Sequence, residues 1–125
     1  MGELTVGYDA AGGLVRTLCA GFLTIEDVRR WGAGLSVAHA EARRADKPVL
    51  HLVIALDSPV QSGEVIAEFA KIDIHPAGPR DRMAVVVSSS LARMQAARNF
   101  ADSREQAFLA EAEAIAWLRE AVAEG

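Results

Sequence analysis

The sequence predicts an α/β domain organised around a mostly parallel sheet, and three observations predict it. Two nearly continuous apolar segments, 49–56 and 83–87, have the length and composition of strands covered on both faces. Stretches with apolar residues at three- and four-residue spacing follow them, as crossover helices do. A glycine turn near the start joins two short strands, which makes an antiparallel hairpin. The expected order is β-β-α-β-α-β-α-β-α, one domain over residues 1–125.

Leu4, Val6 and Tyr8 alternate with small or polar residues and form one face of a first strand. Gly12 and Gly13 supply the positive φ of a turn. The stretch Leu14 to Phe22 forms the second strand, with Val15, Thr17 and Cys19 on one face and Leu18, Ala20 and Phe22 on the other. Thr24 then caps a helix, and Asp27 stands three residues on in the place of the capping-box acid. Ile25, Val28, Trp31, Leu35 and Ala38 make its buried stripe, Gly32 and Gly34 mark close packing, and Lys47-Pro48 ends it.

The run Val49 to Leu56 is the central strand. Ser62 caps a helix carrying Val65, Ile66, Phe69 and Ile72, and His75-Pro76-Ala77-Gly78-Pro79 breaks the chain again. Arg82 to Val87 is a second buried strand. Ser88, Ser89 and Ser90 open a helix with Leu91, Met94 and Ala97 on one side, Ser90 being its expected cap. Gln106 to Leu109 form a short strand, and Glu111 to Val122 a final helix with Ala114, Ile115, Trp117, Leu118 and Val122 as its apolar band.

Composition narrows the function. The chain has 125 residues, 51% apolar and 24% charged, with a net charge of −4. That is a folded domain rather than a disordered one. A pI near 5.3 lacks the basic excess that neutralises phosphates, so a nucleic-acid partner is not expected. No apolar run approaches the ~20 residues of a membrane span, and the N-terminus carries no signal-peptide pattern. A cytoplasmic location follows as the expectation. Cys19 is the lone cysteine, which excludes an intrachain disulfide and a multi-cysteine metal site.

Two stretches carry a family resemblance. One is Val53-Ile54-Ala55-Leu56-Asp57-Ser58 leading to Ser62-Gly63 and a helix. The other is Arg82-Met83-Ala84-Val85-Val86-Val87, a polar step, an amphipathic helix, a short strand and Ala114-Ile115-Ala116-Trp117-Leu118. Together they resemble the SpoIIAA-like (STAS) domains, in particular the small stand-alone SpoIIAA-like proteins, over nearly the whole chain. The resemblance implies a SpoIIAA-like fold and a non-enzymatic regulatory or protein-interaction module like the anti-sigma-factor antagonists. In those proteins a serine at the start of the helix after the third strand is phosphorylated. Ser62 matches that position, with Ser58 beside it, although Gln61 stands where the family carries an Asp. The same superfamily is grouped with Sec14-type lipid carriers, which implies a carrier of a small apolar ligand as the alternative.

The residues also suggest a polar mouth. Asp57 ends one central strand, and Ser88, Ser89 and Ser90 follow the other, with Arg93 one turn further. Ligands in open α/β sheets gather at such carboxyl ends, and a helix start binds anions. An enzyme would need Asp57, Ser58 and His51 to converge. His39, His51 and His75 fall on a helix, a strand and a loop without ligand spacing, so no metal is expected. His51 reads as a satisfied core or edge histidine rather than a base. No phosphate-binding or dinucleotide glycine motif is present, and no cofactor is expected. The anticipated partners are a protein, a second copy of the chain, or a small apolar molecule.

Overall fold

The structure is a computed structural model that describes residues 2–123; Met1, which entered the reading of the N-terminus, and residues 124–125 lie outside it. The elements run in the expected order: β1 (Glu3–Asp9), β2 (Leu14–Ala20), α1 (Ile25–Arg44), β3 (Leu50–Asp57), α2 (Gly63–Ala70), β4 (Arg82–Val86), α3 (Ser90–Ala97), β5 (Glu105–Phe108) and α4 (Glu111–Ala123). The sheet order is β1-β2-β3-β4-β5. β1 and β2 pair antiparallel, with Gly13 at φ 71° in the turn and the Asp9 carboxylate accepting from the Gly12 amide at 3.1 Å. All the other pairings are parallel. No helix of the described residues is long and apolar enough to cross a membrane.

Successive parallel strands step in one direction across the sheet. Right-handed crossovers therefore carry α1, α2 and α3 to one face, and α4 closes the other. Strand alternation feeds both cores. Val15, Val28, Trp31, Leu35 and Ala38 belong to the core under α1, whereas Leu14, Leu52, Val86, Ala114 and Leu118 belong to the core under α4. The Thr24–Asp27 capping box forms, each side chain accepting from the other's backbone amide. A Cβ on Gly32 would stand 2.8 Å from Ile72, and one on Gly34 would stand 2.9 Å from Val6, so both glycines permit close packing.

The departures from expectation fall on the α1–α3 side and at the strand ends. β2 stops at Ala20, and Phe22 is 63% exposed. β3 is covered on both faces only in its first half: Leu50, His51 and Leu52 are buried, but Leu56 is half exposed. The apolar side of α3 finds no core. Leu91 and Met94 are exposed, and no residue of α3 is buried. α2 buries only Val65 and leans on α1, while α3 leans on β5. The sheet between these two short helices is left incompletely roofed. The cap of α3 is Ser89, not Ser90, because the Ser89 hydroxyl accepts from the Ala92 amide at 3.1 Å.

Candidate functional site

The incomplete roof leaves a chamber of about 200 Å³ on the α1 side of the sheet. Alternate strand residues form its floor: Thr17 and Cys19 from β2, His51, Val53 and Ala55 from β3, and Met83 and Val85 from β4. Trp31 of α1, Phe69 of α2 and Ile74 of the following loop flank it; it is half open, and its accessible lining is wholly apolar. Trp31 and Phe69 meet edge to face at 5.6 Å. Across Phe69, Ile74, Met83 and Val85 the chamber adjoins an open groove of about 490 Å³ between α2 and α3. Across His51, Ile74 and Met83 it adjoins a smaller cavity of about 100 Å³. Ile74 and Met83 border all three spaces.

The smaller cavity is mixed, with polar and apolar groups both exposed in its wall. The chain has three histidines, and all three line it, with Arg43, Asp73 and Asp81. Among the described residues no group of three or more His, Cys, Asp or Glu side chains has metal-holding geometry. His51 is fully buried, and its Nε2 lies 2.7 Å from the Thr17 hydroxyl. That hydroxyl accepts from Trp31 Nε1 at 3.1 Å. An indole N–H only donates, and the Thr17 hydroxyl keeps its own proton and a second lone pair, so it pairs with His51 Nε2 in either neutral tautomer. Burial, and then the proximity of His39, push His51 down to about 3, so it is neutral. His51 Nδ1 and His39 Nε2 are both buried without a hydrogen-bond partner. The two rings stand edge to face at 6.0 Å. Burial and the Arg43 cation also lower His39, against the Asp81 carboxylate. His75 is bound to the buried Glu105.

Asp81 fixes the wall of this cavity. Burial alone would raise its carboxyl, but the amides of Val49 and Gly78 and the Arg43 guanidinium hold it below the ordinary carboxylate range. Those donors sit at 2.8, 2.9 and 2.9 Å. Replacing Asp81 by Ala strips acceptors from two amides, so Asp81→Ala is expected to cost about 2–3 kcal/mol in urea unfolding, and Asp81→Asn to recover part of that. A loss below about 0.5 kcal/mol would show that solvent satisfies those amides.

The residues singled out from the sequence lie elsewhere. Asp57 is exposed at the end of β3, and its carbonyl accepts from the Gly21 amide at 2.8 Å. Ser58 Oγ lies 3.6 Å from Cys19 Sγ. Ser62 caps α2, accepting from the Val65 amide at 3.3 Å, and is exposed. Ser88, Ser89, Ser90 and Arg93 are exposed at the start of α3. Asp57, Ser58, Ser62, Ser88, Ser89, Ser90 and Arg93 line neither the chamber, nor the groove, nor the histidine cavity. His51 does not converge with Asp57 and Ser58, because six residues of one strand separate His51 from Asp57 by roughly 20 Å. Gln61, read only as a departure from the family's Asp, proves to be a staple. Its side chain accepts from the Leu23 amide at 2.8 Å and donates to the carbonyls of Gly21 and Pro59 at 2.9 and 3.1 Å. His51 is a core histidine, as expected, but only its Nε2 is satisfied; its Nδ1 has no hydrogen-bond partner.

No protein-family model matches the chain, and no curated protein matches it. Its structure is similar to the crystal structure of an uncharacterized protein of the DUF3478 family, with a SpoIIAA-like fold, from Shewanella loihica PV-4. The TM-score is 0.74 at 18% identity, and the match covers 94% of this chain and 95% of that one. The chain therefore has a SpoIIAA-like fold, the architecture expected from its element order. A shared fold does not by itself assign a role.

Proposed function

We propose that the protein binds a small, mainly apolar molecule in the chamber between α1, α2 and the sheet. The observation that carries this reading is the wholly apolar accessible lining of a half-open recess of about 200 Å³ over the sheet. Apolar surface left open in such a recess is covered favourably by an apolar ligand, at about 25 cal/mol per Å² removed from water. An engineered apolar cavity of about 150 Å³ stays dry and takes up benzene. A space somewhat larger suits a ligand of roughly six to ten carbon atoms. The adjoining groove between the short helices α2 and α3 supplies an entry path that needs no core rearrangement.

Toluene is a direct probe. It is expected to raise the melting temperature of the native protein and to perturb the amides of Phe69, Ile74 and Met83 in NMR titration. Ala55→Phe puts a ring into the chamber, and it should abolish toluene binding while leaving the fold intact. Native mass spectrometry of freshly purified protein is expected to show a co-purified small molecule. A native chain unaffected by saturating toluene, with Ala55→Phe destabilised by crowding, would dismiss the reading.

One observation favours a second reading, an interaction surface at the carboxyl ends of the strands. Phe22 is 63% and Val60 88% exposed, on two loops that Gln61 ties together beside Ser58 and Ser62. Exposed large apolar groups held on a rigid frame suit a protein contact. Self-association is the version most simply tested. Sedimentation velocity should show a concentration-dependent dimer that Phe22→Asp with Val60→Asp reduces to monomer. Ser62→Asp should weaken that dimer if a phosphate there is the switch, by placing charge beside the apolar pair. A native chain monomeric at millimolar concentration would remove the self-association.

A further inference from the structure

We infer that the ligand is an uncharged, unbranched aliphatic chain of more than roughly ten carbons, lying across the chamber and the α2–α3 groove as one trough. This rests on the proposed binding of an apolar molecule and specifies its shape and length. The two hollows share a floor and a wall. Met83 and Val85 of β4 line both, and so do Phe69 and Ile74. The floor continues where they meet. Val53 in the chamber is the register partner of Val85, and Thr17 is the partner of Val53, so the three stand in one row across β2, β3 and β4. Neighbouring strands lie about 4.8 Å apart, so the row runs roughly 10 Å across the strands before the groove carries it on toward α3. Val53 and Val85 are only half-buried, although a parallel sheet is ordinarily covered on both faces. No helix closes over them, because α2 leans on α1 and α3 leans on β5.

The lining sets the chemistry. No Asp, Glu, Lys or Arg is among the described residues that line the chamber or the groove. A charged end placed in either would lose its hydration without a partner. The accessible wall of the chamber is wholly apolar, and the wall of the groove is mostly so, with His75 and Asn99 as its polar side chains. The polar end of the chain therefore belongs at the open side of the groove, in water. A compact ring fills the chamber and stops there. A chain that leaves the chamber across Val85 gains further apolar cover from Ile66, Ile72 and Phe100. Each methylene it places there is worth about fourfold in affinity. The groove, at about 490 Å³, has room for the part that the chamber cannot hold.

The test titrates the straight-chain primary alcohols hexanol, octanol, decanol and dodecanol into the native protein, each below its solubility limit. Tryptophan fluorescence is the readout, because Trp31 borders the chamber whereas Trp117 lies on the α4 side of the sheet. Affinity is expected to rise about fourfold per methylene through dodecanol. Ala70→Phe puts a ring into the groove from α2; Ala70 is exposed, so the variant is expected to fold. Ala96→Phe repeats the block from α3. Both should leave hexanol binding unchanged and weaken dodecanol about tenfold or more, whereas Ala55→Phe, which fills the chamber, should weaken all four alcohols. An affinity that levels off before dodecanol overturns the extended chain and leaves the apolar reading standing. Dodecanol binding that survives Ala55→Phe, or survives both groove variants, overturns the joint trough. Levelling off together with a dimer that Ile66→Asp dissolves gives the groove to a second copy of the chain. If no alcohol binds, the apolar reading itself fails and the chain fails with it.

Discussion

Acidification from pH 7.5 to pH 4.5 is expected to remove about 2–3 kcal/mol of stability through His51 alone. In the folded chain His51 is fully buried and held at about 3, whereas an unfolded histidine titrates near 6.5. Between those values the unfolded chain binds a proton that the native chain does not, so stability falls as pH falls. The contribution is complete above about pH 6.5 and is lost progressively toward pH 3. At pH 4.5 two pH units of that window have been crossed, at about 1.4 kcal/mol each. His39, lowered by burial and by Arg43, adds in the same direction. The carboxylates act lower. Asp102, held down to about 2 by its hydrogen bonds from Arg104, loses its contribution only below the ordinary aspartate range. Urea midpoints measured between pH 7.5 and 4.5 read the slope, with His39→Gln and His75→Gln in the background to isolate His51. If His51→Leu in that background keeps the native slope, the buried neutral imidazole is not its source.

The same histidine shows where sequence reading stops. The hairpin, the capping box at Thr24 and Asp27, the stripe of α1 and the tight glycines at 32 and 34 are local patterns. Each rests on turn chemistry, helix-end hydrogen bonds or period, and each appears in the structure. The three histidines stand at 39, 51 and 75 in a helix, a strand and a loop, and no spacing rule links them. They meet because His51 alternates onto the α1 side of β3, His39 lies in the second half of α1, and the loop after α2 returns at the start of β4. The chamber was hidden for another reason. Leu91 and Met94 on α3 carry the spacing of a packed stripe, yet they face no core. Period shows that a helix has an apolar side; it does not show that anything meets it. The continuous apolar run of β3 likewise concealed a division of labour between alternate residues.

That division yields the sharpest contrast in stability, between neighbours on β3. Leu52 points to the α4 side, is fully buried, and packs with Leu14, Ala84, Val86 and Leu118. Leu52→Ala should therefore cost about 3–5 kcal/mol, the removed methylenes and the new cavity adding together. Val53 points the other way, into the chamber. Its outer methyl already faces space, so it forfeits few dispersion contacts when removed. Val53→Ala is expected to cost less than about 1 kcal/mol and to tighten toluene binding by enlarging the space. Both values come from urea unfolding at pH 7.5, where the histidine effects are saturated. If the two substitutions cost the same, the chamber side of the strand is packed as densely as the α4 side, and a ligand has no room there. If Val53→Ala is cheap only until toluene is added and then costs more, the methyl touches the ligand, and β3 itself is part of the binding surface.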